Sequence, residues 1–116
     1  MLDRADRLHR QFFTQAAPGW EPPIDVVEVD GELLIHVALP AVEPGSITIA
    51  LAPDGVAVSA SRPFPCRGHG ARIHRIEIPY GRFERHIALD TAGLELSGKT
   101  LADGVLTLAF RRKEGA

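Results

Sequence analysis

From Ile24 onward, apolar and polar residues alternate with a period of two, and turn-forming residues interrupt the alternation every few positions. The clearest run covers residues 32–39, where Leu33, Ile35 and every second residue after them share one face, and His36 points to the other. Several alternating runs joined by short turns are typical of an antiparallel sandwich or barrel. The chain after Ile24 is therefore predicted to be all-β, and the lack of a helical period there argues against an open α/β fold.

Three Asp-Gly dipeptides mark hairpin turns between these runs, because both residues tolerate the positive φ angles that tight hairpins need. They occupy positions 30–31, 54–55 and 103–104. Residues 61–71 hold two prolines and two glycines and are predicted to form the longest loop, whereas residues 91–102 show no clear period. The pattern as a whole predicts seven strands, at residues 25–29, 32–39, 47–51, 56–60, 72–78, 83–89 and 105–111.

The first residues follow a different pattern. Leu2, Ala5, Leu8 and Phe12 recur three or four positions apart with charged residues between them, which predicts an amphipathic helix over residues 2–15. A helix of about four turns is marginal in water, so we expect it to form fully only when it is docked. Three prolines and a glycine then surround Trp20 and make a stiff linker. The predicted organisation is an arm at residues 1–20, a β-sandwich at 21–111 and a short polar tail at 112–116.

Charge and cysteine content restrict the classes of function. Thirteen Lys and Arg against fifteen Asp and Glu leave a net charge of -2, which supplies no basic field for a phosphate backbone, so no nucleic-acid partner is expected. The single cysteine, Cys66, excludes an intramolecular disulfide. No apolar run approaches the ~20 residues of a membrane span or resembles a secretory signal. We therefore expect one domain, located in the cytoplasm and without a membrane partner.

The residues that commonly carry chemistry form no convincing catalytic or metal site. Cys66, His69 and His74 fall within nine residues, but a structural zinc site needs four ligands and no second pair is present. His36 and His86 are predicted to face solvent on strand faces opposite the apolar rows. We expect no enzyme activity, no metal and no cofactor.

The arm carries apolar side chains that cannot form a core of their own: Leu8, Phe12, Phe13 and Trp20. Two interpretations stay open. The arm folds back on its own domain or seals a dimer, or it offers these side chains to other proteins. Both depend on the same physics, since an amphipathic segment on a proline linker covers an apolar surface and can also be released from it.

The run from Trp20 to Arg111 resembles the α-crystallin domain of the small heat-shock proteins. The resemblance implies an immunoglobulin-like antiparallel β-sandwich, a dimeric building block, and an ATP-independent holdase that binds unfolding client proteins under stress. An adaptor or co-chaperone module of the same fold, with one specific protein partner, is the alternative. The resemblance is carried by four segments in family order: 20–25 (Trp-Glu-Pro-Pro-Ile-Asp), 39–44 (Leu-Pro-Ala-Val with Pro44), 80–85 (Tyr-Gly-Arg-Phe leading to Arg85) and 103–108 (Asp-Gly-Val-Leu-Thr-Leu).

The family also implies site residues. A docking groove is expected between the strands at residues 46–52 and 83–89, and its candidate floor is Ile47, Ile49, Ile87 and Leu89. Alternating apolar residues of this kind equally form the core of a sandwich. Arg85, on the same row, is expected to pair with a carboxylate across a dimer interface, because an unpaired buried charge costs several kcal/mol.

Two segments depart from the family pattern. Where relatives carry a strand that swaps into the partner subunit, residues 63–72 contain two prolines and two glycines, so swapping is left open. Residues 112–116 lack the Ile-x-Ile motif that links dimers into larger assemblies. The expected partners are therefore client proteins and a second copy, in dimers or small oligomers, with other small heat-shock proteins as a further option.

Overall fold

The structure is a computed structural model, and it describes residues 20–65 and 70–113. The predicted helix over residues 2–15 lies outside the described residues, and the division into arm, sandwich and tail stays a prediction. In the described part the chain forms one short 3-10 turn at Pro44–Ser46 and seven strands. The strands are β1 (Ile24–Val29), β2 (Glu32–Ala38), β3 (Thr48–Ala52), β4 (Gly55–Arg62), β5 (Gly81–Ala88), β6 (Leu94–Ala102) and β7 (Val105–Arg112).

The strands form two antiparallel sheets. One has four strands in the order β1-β2-β7-β6, and the other has three in the order β3-β4-β5. The inner faces of the two sheets supply one apolar core, as the period-two pattern requires. The prediction of an all-β antiparallel sandwich is confirmed.

Two of the three predicted turns form as expected. Val29 pairs with Glu32 across a two-residue loop in which Asp30 and Gly31 have φ angles of 51° and 80°, and the loop at 103–104 has the same form. In the third hairpin Ala52 pairs with Gly55, so the loop residues are Pro53 and Asp54, one position earlier than predicted. Gly55 instead begins β4.

One predicted strand is wrong and one strand was missed. Residues 72–78 form no strand and pair with no described strand, although their composition is strand-like; Ile73 and Ile78 are 42% and 60% exposed. The missing strand is β6, in the region without a clear period. A β-bulge between Leu96 and Gly98 shifts its register by one residue, which destroys the alternation that sequence analysis depends on.

The core is entirely apolar among the described residues, where no polar or charged side chain is buried. Its members come from both sheets and from the turn after β2. They are Ile35, Val37, Leu39, Val42, Val56, Val58, Ala60, Phe83, Ile87, Leu106, Leu108 and Phe110.

Candidate functional site

A short segment at the start of the described chain closes one side of the sandwich. Residues 20–23, called the strap below, run beside the outer edge of β5. The Trp20 amide donates to the Arg82 carbonyl and the Glu84 amide donates to the Trp20 carbonyl, both at 3.0 Å, which makes a single parallel bridge to Phe83. The strap therefore adds one residue of pairing to β5, an edge strand whose other partner among the described strands is β4.

The Trp20 side chain lies on the core. Its ring meets the ring of Phe83 edge to face, with centroids 5.1 Å apart and planes 68° apart, a favourable geometry for aromatic rings. Phe83 itself is fully buried. Leu8, Phe12 and Phe13, the other candidates for client binding, lie outside the described residues.

The far end of the strap is held by both sheets. Pro22 is fully buried, and its carbonyl accepts a hydrogen bond from Arg85 Nη1 on β5 at 3.2 Å. The next carbonyl, that of Pro23, accepts from the Ala38 amide at the end of β2 at 3.1 Å. The strap thus bridges the edge of the three-stranded sheet and the four-stranded sheet.

Arg85 lies on the inner face of β5 between Phe83 and Ile87, as the apolar row predicted, and is half-buried. Within the described chain its partner is a backbone carbonyl. Among the described residues Arg85 forms no ion pair, and the guanidinium donates instead to the Pro22 carbonyl. This bond partly compensates a charge that the apolar row would otherwise leave unpaired. A contact of Arg85 with a second subunit stays a prediction.

The two strands expected to border the predicted groove, β3 and β5, belong to the same three-stranded sheet. β4 lies between β3 and β5 and pairs with both strands. Ile87 is buried in the core, whereas Ile47, Ile49 and Leu89 are half-buried and pack against it. The groove between these strands and a binding role for these four residues stay predictions.

The outer face of β5 carries a ladder of charges. Glu84 accepts from Arg82 Nε at 3.1 Å and lies 2.9 Å from His86 Nε2. Hydrogen bonds with the His86 ring and then with the Arg82 guanidinium hold the pKa of the Glu84 carboxyl below its ordinary value of 4.5. The His86 side chain is 75% exposed, while His36 is half-buried and lies 3.0 Å from the Thr107 hydroxyl through Nδ1.

Of the loop residues considered as metal ligands, Cys66 and His69 lie outside the described residues, and His74 is exposed. Within residues 20–65 and 70–113 no three potential ligands cluster. No helix in the same ranges is long and apolar enough to cross a bilayer.

Four- and three-stranded antiparallel sheets around an apolar core, with a proline-rich segment entering along one edge, define a β-sandwich of the α-crystallin class. The sequence model of the Hsp20/alpha crystallin family matches residues 25–116. The chain belongs to that family. The family supports a chaperone role, and it implies client binding and self-association.

Solved structures share the fold. The hspA protein from Xanthomonas axonopodis is 26% identical, with a TM-score of 0.66 over 84% of this chain and 98% of its own. A small heat-shock protein from Xylella fastidiosa is 25% identical, with a TM-score of 0.63 over 84% and 90%. HSP18.5 from E. histolytica, at 20% identity and a TM-score of 0.69 over 84% and 92%, shows the likeness of fold alone. No curated protein matches the sequence.

Sequence reasoning missed the strap as a structural element. Trp20 was placed in the arm, and its bonds join it to residues more than sixty positions later in the chain. The local signal is Trp20 together with Pro22 and Pro23. The prolines favour an extended segment, and a large aromatic side chain favours contact with an apolar surface.

Proposed function

We propose that this protein is an ATP-independent holdase, which binds partly unfolded proteins and prevents their aggregation. The observation that carries the proposal is the match to the Hsp20/alpha crystallin family over residues 25–116. Exposed apolar side chains support it, since Val27, Val29, Leu51 and Ile78 each remain at least 41% exposed outside the core. Burial of such surface against an unfolded chain is favourable without nucleotide hydrolysis.

A turbidity assay tests the holdase function directly. A heat-labile test protein is warmed with and without an equimolar amount of this protein and with no ATP. We expect suppression of light scattering for several unrelated test proteins. If the protein suppresses the aggregation of none of the test proteins, the holdase function is contradicted. Binding to a single defined protein in a pull-down would then favour the adaptor.

The arm is proposed as one site of client contact, through Leu8, Phe12 and Phe13 together with Trp20. The test keeps the full chain and replaces Leu8, Phe12 and Phe13 by serine. We expect a large loss of suppression with an unchanged far-ultraviolet circular dichroism spectrum. The matched control replaces Gln11, Thr14 and Gln15 by serine. Equal suppression by both variants would place client binding on the sandwich alone.

Self-association into dimers or small oligomers is proposed as well, with a cytoplasmic location. The Xylella fastidiosa relative is described as having a distinct high order structure, a statement about that protein. Multi-angle light scattering measures the mass of the particle. A single species of ~24 subunits would contradict the proposal.

A further inference from the structure

The strap shows what kind of ligand the outer edge of β5 accepts. We propose that the strap is an intramolecular placeholder: when it detaches, an extended segment of an unfolding polypeptide takes its place on β5, with an aromatic or large aliphatic side chain in the position of Trp20. The inference rests on the proposed function and names the surface of the sandwich on which a client binds.

The edge of β5 offers backbone groups that the strap leaves unused. The outward-facing groups of the strand belong to Arg82, Glu84 and the alternate residues that follow, and Trp20 occupies the Arg82 carbonyl and the Glu84 amide. The next two, the Glu84 carbonyl and the His86 amide, pair with no described residue. Unpaired groups along a sheet edge are a template for an added strand.

Proline limits the pairing of the strap itself. Continued parallel pairing would need an amide at residue 22 to donate to the Glu84 carbonyl, and the carbonyl of residue 22 to accept from His86. Pro22 has no amide hydrogen, and its carbonyl bonds the Arg85 side chain instead. A segment without proline at that position can make both further bonds, so it holds the edge more firmly than the strap does.

The position that the ligand's apolar side chain would take, over the Phe83 ring, is equally well defined. With the strap in place the Phe83 ring is fully buried and Trp20 covers it edge to face. Detachment exposes this ring at the edge of the sandwich, beside the unpaired backbone. The ligand is therefore an extended chain that presents an aromatic or bulky apolar side chain, which is the composition of a segment exposed by unfolding.

Detachment leaves both sheets intact, because all seven strands pair without the strap. The strap is held by two hydrogen bonds to β5, the Arg85 bond, the bond from Ala38, the packing of Trp20 on the core and the buried Pro22 side chain. A segment outside the sheets with fewer contacts than the core strands opens at lower free energy than they do. The strap thus competes with the client for the β5 edge. The more stably the strap is bound there, the lower the apparent affinity for the client.

The experiment uses Trp20 as the reporter, since it is the only tryptophan in the chain. The probe is a fluorescein-labelled peptide of about seven residues, without tryptophan or proline, with alternating apolar residues around a central phenylalanine. Anisotropy gives its affinity for the full-length protein. We expect binding to shift Trp20 emission to the red and to increase its quenching by acrylamide. A matched peptide with serine for the central phenylalanine should bind at least about tenfold more weakly.

Two variants move the affinity in opposite directions. Arg85→Met removes the bond to the Pro22 carbonyl, loosens the strap, and should tighten peptide binding about three- to tenfold. Pro22→Val keeps an apolar side chain, supplies the missing amide hydrogen, and should weaken binding by a similar factor. Arg75→Met is the control, because Arg75 is exposed and pairs among the described residues only with Glu77, and it should leave binding unchanged. If Arg85→Met fails to fold, as shown by circular dichroism, Pro22→Val and the reporter carry the test.

The outcomes separate this inference from the holdase function. One outcome is that the protein suppresses aggregation and binds the peptide, but Trp20 emission does not change. This outcome overturns the strap as placeholder, and the proposed holdase function still stands. A second outcome is a red shift of Trp20 emission that grows with protein concentration when no peptide is present. It would mean that a second copy of the chain binds the β5 edge, and it also overturns the inference. Absence of any suppression by the wild-type protein contradicts the proposed function and the inference with it.

Discussion

At the scale of single residues, Gly55 lies in close contact with the backbone of β5. A Cβ atom there would lie 2.6 Å from the Ile87 carbonyl oxygen, and neither backbone can retreat without breaking the pairing of β4 with β5. Gly55→Ala should lower the free energy of unfolding by about 1–3 kcal/mol, as other overpacked substitutions do. Urea denaturation measures the change. Gly45→Ala is the control, because no atom lies within 4 Å of its added Cβ, and equal stability of the two variants would contradict the prediction.

Glu84 gives a pH dependence whose sign follows from its environment. The hydrogen bonds with His86 and Arg82 lower the pKa of the folded carboxyl below 4.5, so folding is favoured by its ionised form. This contribution is present above the unfolded pKa and disappears as the pH falls through the folded one. The pH dependence of stability below pH 4.5 should therefore be shallower in Glu84→Gln than in the wild type. The difference should be small, because exposed ion pairs are weak. Parallel thermal melts across that range measure it, and identical slopes would show that the pairing has no net effect on folding.

Single residues also show where sequence reasoning about the site stops. The alternation on β5 placed Arg85 correctly on an apolar row, and the cost of an unpaired charge correctly required a partner. The partner is the Pro22 carbonyl, 63 positions earlier in the chain. Every residue has a carbonyl, so no side-chain pattern identifies which one a guanidinium will reach. The same limit applies to Trp20, for which packing on its own domain was one of the open interpretations and no sequence pattern indicated β5.

At the scale of elements, strands with unbroken alternation were predictable and the irregular ones were not. β2 and β7 have one buried face and regular register, so period two located both. In β6 one extra residue at the bulge moves later side chains to the opposite face, and the period disappears although the strand pairs over its whole length. Residues 72–78 show the reverse case, because a strand-like composition forms a strand only where an edge is available in the correct place.

The position of residues 72–78 outside the sheets leads to a stability prediction. Ile78 is 60% exposed, so Ile78→Ser should change the free energy of unfolding by no more than about 0.5 kcal/mol, the range of ordinary surface substitutions. Ile35, on β2, is fully buried, and Ile35→Ala should cost about 2–5 kcal/mol in the same assay. A loss above about 1 kcal/mol for Ile78→Ser would contradict the prediction and show that Ile78 is buried in solution.

At the scale of the whole molecule, the fold depends on apolar burial between the two sheets. The single cysteine allows no internal disulfide, and the described core contains no buried charge. The described ion pairs lie on the surface, where the side chains of Arg75, Arg82 and Arg111 are 81%, 58% and 65% exposed. Salt screens exposed pairs and leaves burial largely unaffected. The stability of the domain should therefore depend little on ionic strength.

Thermal melts from low salt to about 0.5 M NaCl test this expectation, and the midpoint should move by no more than a few degrees. Leu108→Ala, in the fully buried centre of β7, provides the comparison. It should cost about 2–5 kcal/mol at every salt concentration, because the transfer and cavity terms that it changes do not depend on screening. A large fall in the midpoint of the wild-type protein with added salt would show that surface charge, rather than the contact between the two sheets, holds this domain together.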